Sequence, residues 1–351
     1  MAEKPRIGIN GFGRIGRAIF RINQKYGLFN INVINDINPD NKNIAYLLKY
    51  DTTYGNFKSS VLSDDRTMTV DNASIDMHHE ENISKVPWSK YEVDIVIDSS
   101  GIYKNIKEMP ACKDFVKNFI VTNIPKGVNH SIIIGCNDDK LDPQNNLIIS
   151  SSICDAVSTA PILKIIESTH KIESGFLTTL HPWLSYQNLL DGASPSWSIP
   201  GDIFSHYALG RSSPMNLIPK STSAMKAVEM VMPHLNNKIP SLSFRVPTGI
   251  VAGADLTLVL ENDITKEELI RKFHDFEKSQ EHKIIRNSTE PLTSLDYCGE
   301  EFSAVIDHRW TKVNKNNLIK LVYWYDNEWG YSCRVLDLVK RITELQKKKN
   351  V

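Results

Sequence analysis

The sequence lacks the features that mark several specialised classes of protein. It has five cysteines, none in a Cys-x-x-Cys pair, so neither a disulfide framework nor a zinc site is expected and no metal is predicted. Lysine plus arginine and aspartate plus glutamate number 41 each, so no net charge attracts nucleic acid. No apolar run reaches the ~18 residues of a membrane span. We therefore expect a cytoplasmic protein with neither nucleic acid nor membrane as a partner.

The first part of the chain alternates short apolar runs with segments of helical periodicity. At 351 residues the whole chain is long enough for two domains. The alternation predicts a parallel sheet with crossover helices. The predicted elements are a strand at 5–10, a helix at 14–26, and strands at 31–35, 94–98 and 119–122.

The pattern changes after Cys154. A helix is predicted at about 155–168, and a run of strand candidates follows it, which favours an antiparallel sheet. A final amphipathic helix is predicted at about 329–346. The strand candidates lie at 175–180, 241–247, 254–260, 303–307 and 317–324.

A glycine motif points to a dinucleotide. Gly11-x-Gly13-x-x-Gly16 directly follows an apolar strand and opens a helix, the context in which such a motif cradles a pyrophosphate. Asp36 ends the next strand, where a carboxylate can accept hydrogen bonds from ribose hydroxyls and repel a 2′-phosphate. NAD is therefore predicted rather than NADP. The alternative is that Asp36 only caps the turn before Pro39.

Cys154 lies where a strand meets the N-terminus of a helix. Unpaired N–H groups there stabilise a thiolate, so a lowered thiol pKa is expected. His181 follows a strand-like segment. Taken alone, a buried cysteine or histidine is usually structural.

Three longer motifs resemble the glyceraldehyde-3-phosphate dehydrogenase family. They are Gly-Ile-Asn-Gly-Phe-Gly-Arg-Ile-Gly-Arg at 8–17, Ser-Ser-Ser-Ile-Cys-Asp-Ala-Val-Ser-Thr-Ala-Pro at 150–161, and Trp-Tyr-Asp-Asn-Glu-Trp-Gly-Tyr-Ser at 324–332. The resemblance covers nearly the whole chain, and it implies a homotetramer that acts on a small aldehyde.

The resemblance also implies a fold that combines α/β and α+β architecture. An NAD-binding Rossmann domain would span 1–152 and would be completed by a C-terminal helix at 329–351. A catalytic domain with a mostly antiparallel sheet would span 153–328. Between Asp191 and Arg211 the chain carries a longer loop than the family does, and the family's loop lies between subunits.

Site roles follow from the same resemblance. Cys154 would attack the aldehyde, and His181 would remove the thiohemiacetal proton, so that hydride transfer to NAD leaves an acyl thioester. Asn327 would hold the nicotinamide carboxamide, and Ile15 would pack under its ring. The implied cofactor-binding residues are Gly11, Phe12, Gly13, Arg14, Ile15, Gly16, Asp36, Ser99, Ser100, Gly101, Thr122 and Asn327.

The segment around the sulfur departs from the family. The family's Ser-Cys-Thr-Thr-Asn is Ile-Cys-Asp-Ala-Val at 153–157, so the hydroxyls that hold inorganic phosphate are lost and Asp155 takes the place of one. Two like charges ~4 Å apart cost about 4 kcal/mol at a protein-surface dielectric. A weakened site for inorganic phosphate is therefore predicted.

Other anion-binding positions are retained. Thr222 matches the second half of the inorganic-phosphate site, and Arg211 and Arg245 match arginines that pair with the substrate's phosphate. Leu184 and Tyr186 replace smaller polar residues of the family on the catalytic loop that follows His181. The alternative is that the arginines only hold the loop. The substrate- or anion-binding candidates are thus Asp155, Arg211, Thr222 and Arg245.

Three functions are compatible with these residues. The first is NAD-dependent aldehyde oxidation of the glyceraldehyde-3-phosphate dehydrogenase type with a weakened phosphate site. The second is a non-phosphorylating, hydrolytic dehydrogenase of a related phosphorylated or sugar-like aldehyde, in which Asp155 displaces phosphate or steers water. The third is a weakly catalytic NAD-binding paralogue with an interaction or regulatory role. Retention of Cys154, His181 and Asn327 favours an enzyme.

Overall fold

The computed structural model describes residues 4–124, 126–196 and 198–348. These residues form two compact units. The first unit contains the described residues of Met1–Ile132, Asp139–Ser152 and Val335–Val351. The second unit contains those of Ile133–Asp138 and Ile153–Arg334. None of the described helices has the length and apolar composition of a membrane-spanning segment.

The first unit is built on a mainly parallel sheet. Its strand order is β3-β4-β5-β2-β1-β6-β7-β9-β8, and among the described pairs only β3/β4 and β4/β5 are antiparallel. This is the predicted Rossmann architecture. Its elements are β1 (Arg6–Asn10), α1 (Arg14–Tyr26), β2 (Asn30–Asn35), α2 (Asn41–Lys49), β3 (Val61–Ser63), β4 (Thr67–Val70), β5 (Ala73–His78), β6 (Ile95–Asp98), α3 (Asn105–Glu108), β7 (Asn118–Val121), β8 (His130–Ser131) and β9 (Ile148–Ser150).

A hydrophobic core around Trp88 fixes the centre of this sheet. Strands β2, β6, β7 and β9 contribute buried residues to it, and the Trp88 indole N–H donates to the Ile83 carbonyl at 2.9 Å. A Cβ at Gly8 would lie 2.6 Å from the Trp88 ring, so β1 needs glycine there. The core thereby holds the strand that carries the glycine turn at its end.

The second unit is built on a mostly antiparallel sheet, as predicted. Its order is β11-β12-β10-β13-β17-β15-β14, with β16 paired to β17, and among the described pairs only β10/β12 and β14/β15 are parallel. Its elements are α4 (Cys154–Glu167), β10 (Ile172–Pro182), β11 (Ile218–Ser221), α5 (Ala224–Val231), β12 (Ser241–Val246), β13 (Ala252–Leu260), α6 (Lys266–Ser279), β14 (Ile285–Ser288), β15 (Ala304–Asp307), β16 (Lys312–Asn314), β17 (Leu318–Tyr325) and α7 (Trp329–Lys348), the last of which contributes residues to both units.

Helix α4 is anchored by apolar side chains around most of its circumference. Ala156, Val157, Ala160, Leu163 and Ile166 are all buried. Full burial of one such aliphatic side chain stabilises the fold by about 1.5–3 kcal/mol, so this helix has little freedom to shift. Its first turn, which carries Cys154 and Asp155, is therefore held in place.

Candidate active site

The glycine turn after β1 opens the N-terminus of α1. Gly11 has φ +87°, and a Cβ there would lie 2.5 Å from the Ser100 backbone nitrogen, so only glycine is tolerated. Gly13 is the N-cap of α1 and supplies no side-chain cap. Among the described residues no atom lies within 4 Å of a Cβ built at Gly13. The N-terminus of α1 therefore carries no side-chain cap, which leaves its first N–H groups available to an anion.

Asp36 links this turn to the end of β2. Its Oδ2 accepts from the Phe12 N–H at 2.6 Å, and its Oδ1 accepts from the Asn38 N–H at 2.9 Å. The alternative that Asp36 only caps the turn before Pro39 therefore accounts for Oδ1, but not for Oδ2, which binds the glycine turn. Each carboxylate oxygen has a second lone pair, so the side chain keeps acceptor capacity for hydroxyl groups.

The ends of β6 and β7 carry the remaining predicted cofactor residues. Ser99 Oγ donates to the Gly11 carbonyl at 2.6 Å, and Ser100 Oγ donates to Asp98 Oδ1 at 2.6 Å. Burial raises the pKa of Asp98, and its carboxylate accepts hydrogen bonds from Ser100, Asn10 and Asn105. Thr122 Oγ1 donates to the Asp98 carbonyl at 3.3 Å. Ser99 and Ser100 therefore lie beside Gly11, and Thr122 lies beside Asp98 at the end of β6.

Two residues of α1, Arg14 and Ile15, and Gly101 in the loop after β6 complete the predicted cofactor residues. Arg14 lies 2.6 Å from Asp51 and over the ring of Tyr54. Ile15 is half-buried. Gly101 has φ +74°, a conformation that glycine adopts without strain.

One face of the second sheet collects the predicted catalytic and anion-binding side chains. His181 pairs with Arg245 across β10 and β12, and Lys220 pairs with Ser243 across β12 and β11, two residues from Arg245 along β12. Tyr325 follows Tyr323 by two residues on β17. Because alternate residues share a face, these side chains point the same way. Bonds from Tyr323 to Thr159 and from Tyr325 to Asp155 show that this face lies against α4.

Cys154 and His181 form a donor–acceptor pair. Cys154 Sγ lies 3.6 Å from His181 Nε2, and His181 Nδ1 lies 2.8 Å from the Pro182 carbonyl. A carbonyl only accepts, so Nδ1 carries the proton and Nε2 is the acceptor. Burial, followed by the charge of Arg245, lowers the pKa of His181 to about 4. The imidazole is therefore neutral at pH 7 and can take a proton from the sulfur.

Asp155 is buried beside this pair. Its Oδ1 accepts from the Tyr325 hydroxyl at 2.8 Å and lies 3.5 Å from Cys154 Sγ and 3.9 Å from His181 Nε2. Its Oδ2 lies 3.4 Å from Thr222 Oγ1. The Thr222 hydroxyl, which the resemblance assigns to inorganic phosphate, therefore donates to the Asp155 carboxylate instead.

Comparison with known proteins identifies the family. A model of the "Glyceraldehyde 3-phosphate dehydrogenase, NAD binding domain" matches residues 5–106, and one of the C-terminal domain matches 153–327. Glyceraldehyde-3-phosphate dehydrogenase 2 of Bacillus subtilis is 34% identical over 345 residues, 98% of each chain. The cytosolic enzyme of Gracilaria gracilis is 34% identical over 97% of this chain and 99% of its own. The chain belongs to the glyceraldehyde-3-phosphate dehydrogenase family.

Membership makes this chain an NAD-dependent dehydrogenase. The residues described here fit the cofactor. In the first unit the N-terminus of α1 has no side-chain cap. In the second unit Asn327 is buried with an Oδ1 that has no hydrogen-bond partner among the described residues. Such an oxygen suits an amide N–H donor like that of nicotinamide, because a buried unpaired acceptor is costly without one.

The expected lowering of the Cys154 thiol pKa is wrong. The sulfur is at the first residue of α4, as predicted, but burial and then the charge of Asp155 raise its pKa well above the ordinary thiol value. Arg245 and the Asp155 backbone N–H act in the opposite direction and do not compensate. The helix N-terminus favours the thiolate, but desolvation of the sulfur disfavours it more strongly.

We expect the Asp155→Asn substitution to lower the Cys154 thiol pKa, because it removes a negative charge beside the sulfur. The thiolate would then form at lower pH, so the pH profile of alkylation by iodoacetamide would shift to lower pH. Asp263→Asn, which removes an exposed carboxylate from the same unit, is the control. An unchanged profile for Asp155→Asn would show that this charge does not govern the sulfur.

The retained anion-binding residues differ in their surroundings. Arg245 is buried, its Nε has no hydrogen-bond partner among the described residues, and a terminal nitrogen donates to the Tyr186 hydroxyl at 3.4 Å. Arg211 is exposed and pairs with Asp191 at 2.7 Å. No described contact brings Arg211 to Cys154, so its role stays a prediction.

Lys220 was missed by the sequence reasoning. Burial, followed by the charge of Arg245, lowers its pKa to about 8, and Asp155 and Cys154 both interact with it electrostatically. The available signal was its position two residues before Thr222, which in a strand favours a common face. Lys220 and Arg245 make this face positively charged.

The longer loop between Asp191 and Arg211 is folded back on itself. Its backbone is joined between Ser194 and Phe204 at 2.9 Å and between Ser196 and Asp202 at 2.8 Å. Trp197, which also belongs to the loop, lies outside the described residues. Near the start of this region, Leu184 N–H donates to Gln187 Oε1 at 3.0 Å.

Proposed function

We propose that this family member oxidises a phosphorylated aldehyde related to glyceraldehyde 3-phosphate through an acyl thioester on Cys154, and that inorganic phosphate is a poor acceptor for the acyl group. The approach of Cys154 Sγ to His181 Nε2, at 3.6 Å, carries the proposal. In this proposal residues 1–152, completed by 329–351, bind NAD, and residues 153–328 carry the chemistry.

The two residues divide the proton chemistry. His181 Nε2 accepts the thiol proton as the sulfur attacks the carbonyl carbon, and it returns a proton to the carbonyl oxygen to give a thiohemiacetal. His181 then removes that hydroxyl proton as the carbon loses hydride and becomes a thioester. Bound NAD supplies the hydride acceptor. One base is enough for all of these proton transfers. That base is the neutral His181 imidazole, whose orientation is fixed by its hydrogen bond to the Pro182 carbonyl.

Positive charge supports an anionic substrate. Arg245 and Lys220 share a sheet face with His181, and the pKa of Lys220 is lowered partly by Arg245, which shows that two cations lie near each other. An anion between them would relieve their repulsion and take charge-assisted hydrogen bonds. We assign the substrate's phosphate to this pair, with Arg211 as a further candidate.

Asp155 disfavours inorganic phosphate as the acceptor. It replaces a hydroxyl donor with a negative charge, and its Oδ2 faces Thr222 Oγ1 at 3.4 Å. A phosphate anion at ~4 Å from this carboxylate would meet a repulsion of about 4 kcal/mol at a protein-surface dielectric, equivalent to roughly 1000-fold in affinity.

Hydrolysis of the thioester is the second candidate function. The observation that favours it is the distance of 3.5 Å between Asp155 Oδ1 and the sulfur, since a carboxylate acceptor there can orient a water molecule towards an acyl group on that sulfur. In that case the product is a carboxylic acid rather than an acyl phosphate.

Asp155→Thr restores the hydroxyl that the family carries beside the cysteine. We expect it to lower the KM for inorganic phosphate at least 10-fold, because it removes the repulsive charge and releases Thr222. Initial rates of NADH formation over a phosphate series give the KM, and mass analysis identifies the acid or the acyl phosphate. Asp263→Asn serves as the control. Equal phosphate dependence in the wild type and in Asp155→Thr would refute the assigned role of Asp155.

The remaining assignments also stay proposals. The proposed cofactor-binding residues are Gly11, Phe12, Gly13, Arg14, Ile15, Gly16, Asp36, Ser99, Ser100, Gly101, Thr122 and Asn327. The assembly is proposed to be a homotetramer and the location cytoplasmic, and the relatives include both a cytosolic and a chloroplastic enzyme.

A further inference from the structure

Cys154, Asp155 and His181 direct three potential metal ligands towards one another. These are the Cys154 sulfur, a carboxylate oxygen and His181 Nε2, and all three lie within 4.8 Å of each other. We propose that the three residues form a binding site for one zinc ion, and that zinc there reversibly blocks the nucleophile. The inhibition of Cys154 by zinc rests on the proposed function, whereas the binding of zinc to the three residues does not.

The separations of the ligand atoms match those around zinc. With tetrahedral angles, Zn–S of about 2.3 Å and Zn–N or Zn–O of about 2.0 Å, sulfur would lie roughly 3.5 Å from nitrogen and from oxygen, and nitrogen roughly 3.3 Å from oxygen. The observed distances are 3.6 Å for Sγ to Nε2, 3.5 Å for Sγ to Oδ1 and 3.9 Å for Nε2 to Oδ1. The two distances from sulfur agree with those around zinc. A shift of the carboxylate by about 0.6 Å towards His181 would bring the nitrogen–oxygen distance into agreement as well.

The ligands are also oriented by outer hydrogen bonds. The Nδ1–H of His181 donates to the Pro182 carbonyl, which leaves Nε2 for the metal. Tyr325 donates to Asp155 Oδ1, and Thr222 Oγ1 faces Oδ2. Metal-binding histidines and carboxylates in proteins are commonly fixed by such partners. The site would therefore need little rearrangement to bind the ion.

The donor set selects the metal. One sulfur, one imidazole and one carboxylate suit zinc, whereas magnesium and calcium prefer oxygen ligands throughout. A thiolate and a carboxylate together balance the charge of Zn²⁺. Arg245 and Lys220 add positive charge nearby, which opposes any cation, so binding depends on the sulfur and nitrogen ligands that zinc prefers. A fourth position would remain for water, as in zinc sites with three protein ligands.

Sequence spacing could not predict this site. Asp155 directly follows Cys154 on α4, but His181 is 27 residues after Cys154 on β10, and zinc motifs are recognised by short paired spacings. The family carries a hydroxyl residue where this chain has Asp155. The third ligand is thus a property of this chain.

The test measures metal binding directly. Chelator-treated protein is titrated with Zn²⁺ in competition with a chromogenic chelator, and with Co²⁺ while the near-ultraviolet absorption of a cobalt–thiolate bond is followed. We expect one ion per chain and no competition by Mg²⁺. Asp155→Thr should weaken zinc binding at least about 100-fold, since loss of only an outer partner costs 10–100-fold. Cys154→Ser should abolish the cobalt–thiolate band, and Asp263→Asn should bind as the wild type does.

The outcomes separate this inference from the proposed function. Thermal unfolding and NAD binding of each variant establish that it is folded. A folded wild type that binds no zinc, or that binds it as tightly as Asp155→Thr does, overturns the site even if the enzyme is active. Zinc bound by Cys154 and Asp155 in a protein without aldehyde oxidation supports the site and counts against the proposed function alone. In the active enzyme, added zinc should stop NADH formation and a chelator should restore it.

Discussion

Cys154→Ala is expected to lower kcat/KM for aldehyde oxidation by at least about 10⁴-fold, the scale of loss when a covalent nucleophile is removed. Cys154 carries the thiol that faces His181, whereas the neighbouring Asp155 and Tyr325 hydrogen-bond to each other at 2.8 Å. Since alanine fits the space left by a thiol, we expect the fold and NAD binding to be preserved. Steady-state NADH formation with glyceraldehyde 3-phosphate provides the measurement.

Cys298→Ala is the matched control, because Cys298 is also partly exposed and lies in the same unit. It should keep full activity. A Cys154→Ala protein with wild-type turnover would exclude the thioester. A Cys154→Ala protein that lost turnover but kept its biological effect in cells would favour the third function, a paralogue with an interaction or regulatory role.

His181→Asn is expected to lower kcat by about 10²–10⁴-fold, the usual contribution of a positioned general base. Asparagine keeps a polar side chain but cannot take the proton from the sulfur. The pH dependence should also change. Because His181 is neutral above its pKa of about 4, the wild-type rate should fall as pH drops towards that value, and this fall should be absent in His181→Asn.

The control for this prediction is His206→Asn, which changes an exposed histidine of the same unit. Its rate and pH profile should match those of the wild type. If His181→Asn retained more than about a tenth of the wild-type kcat, His181 would not be the base, since general-base catalysis contributes at least ~10²-fold. Asp155, which also lies near the sulfur, would then be the next candidate.

The sequence predicts the architecture because periodicity reports which side chains are buried. Helix α1 begins and ends where the pattern placed it, and the other compared elements differ by a few residues at their ends. The largest difference is in β10, which extends to Pro182 because it pairs with strands on both sides. A strand's length depends on its partners, and one sequence does not specify them.

The chemistry of the site was less predictable. The resemblance picked out Cys154, His181 and Asp155, but the direction of the thiol pKa depended on desolvation, a three-dimensional quantity. Lys220 was missed because its role depends on the pairing of β11 with β12. The contact between Asp155 and Tyr325 joins residues 170 positions apart, and no local pattern could reveal it.

The most direct test of the central claim is to look for the acyl group on the sulfur. Protein is mixed with glyceraldehyde 3-phosphate and NAD without inorganic phosphate, quenched in acid at successive times, digested and analysed by mass, while NADH is followed in parallel. We expect a peptide containing Cys154 to gain the mass of the acyl group as NADH forms, and we expect neither change in Cys154→Ala. NADH formation with no acyl group on Cys154 at any time would contradict it.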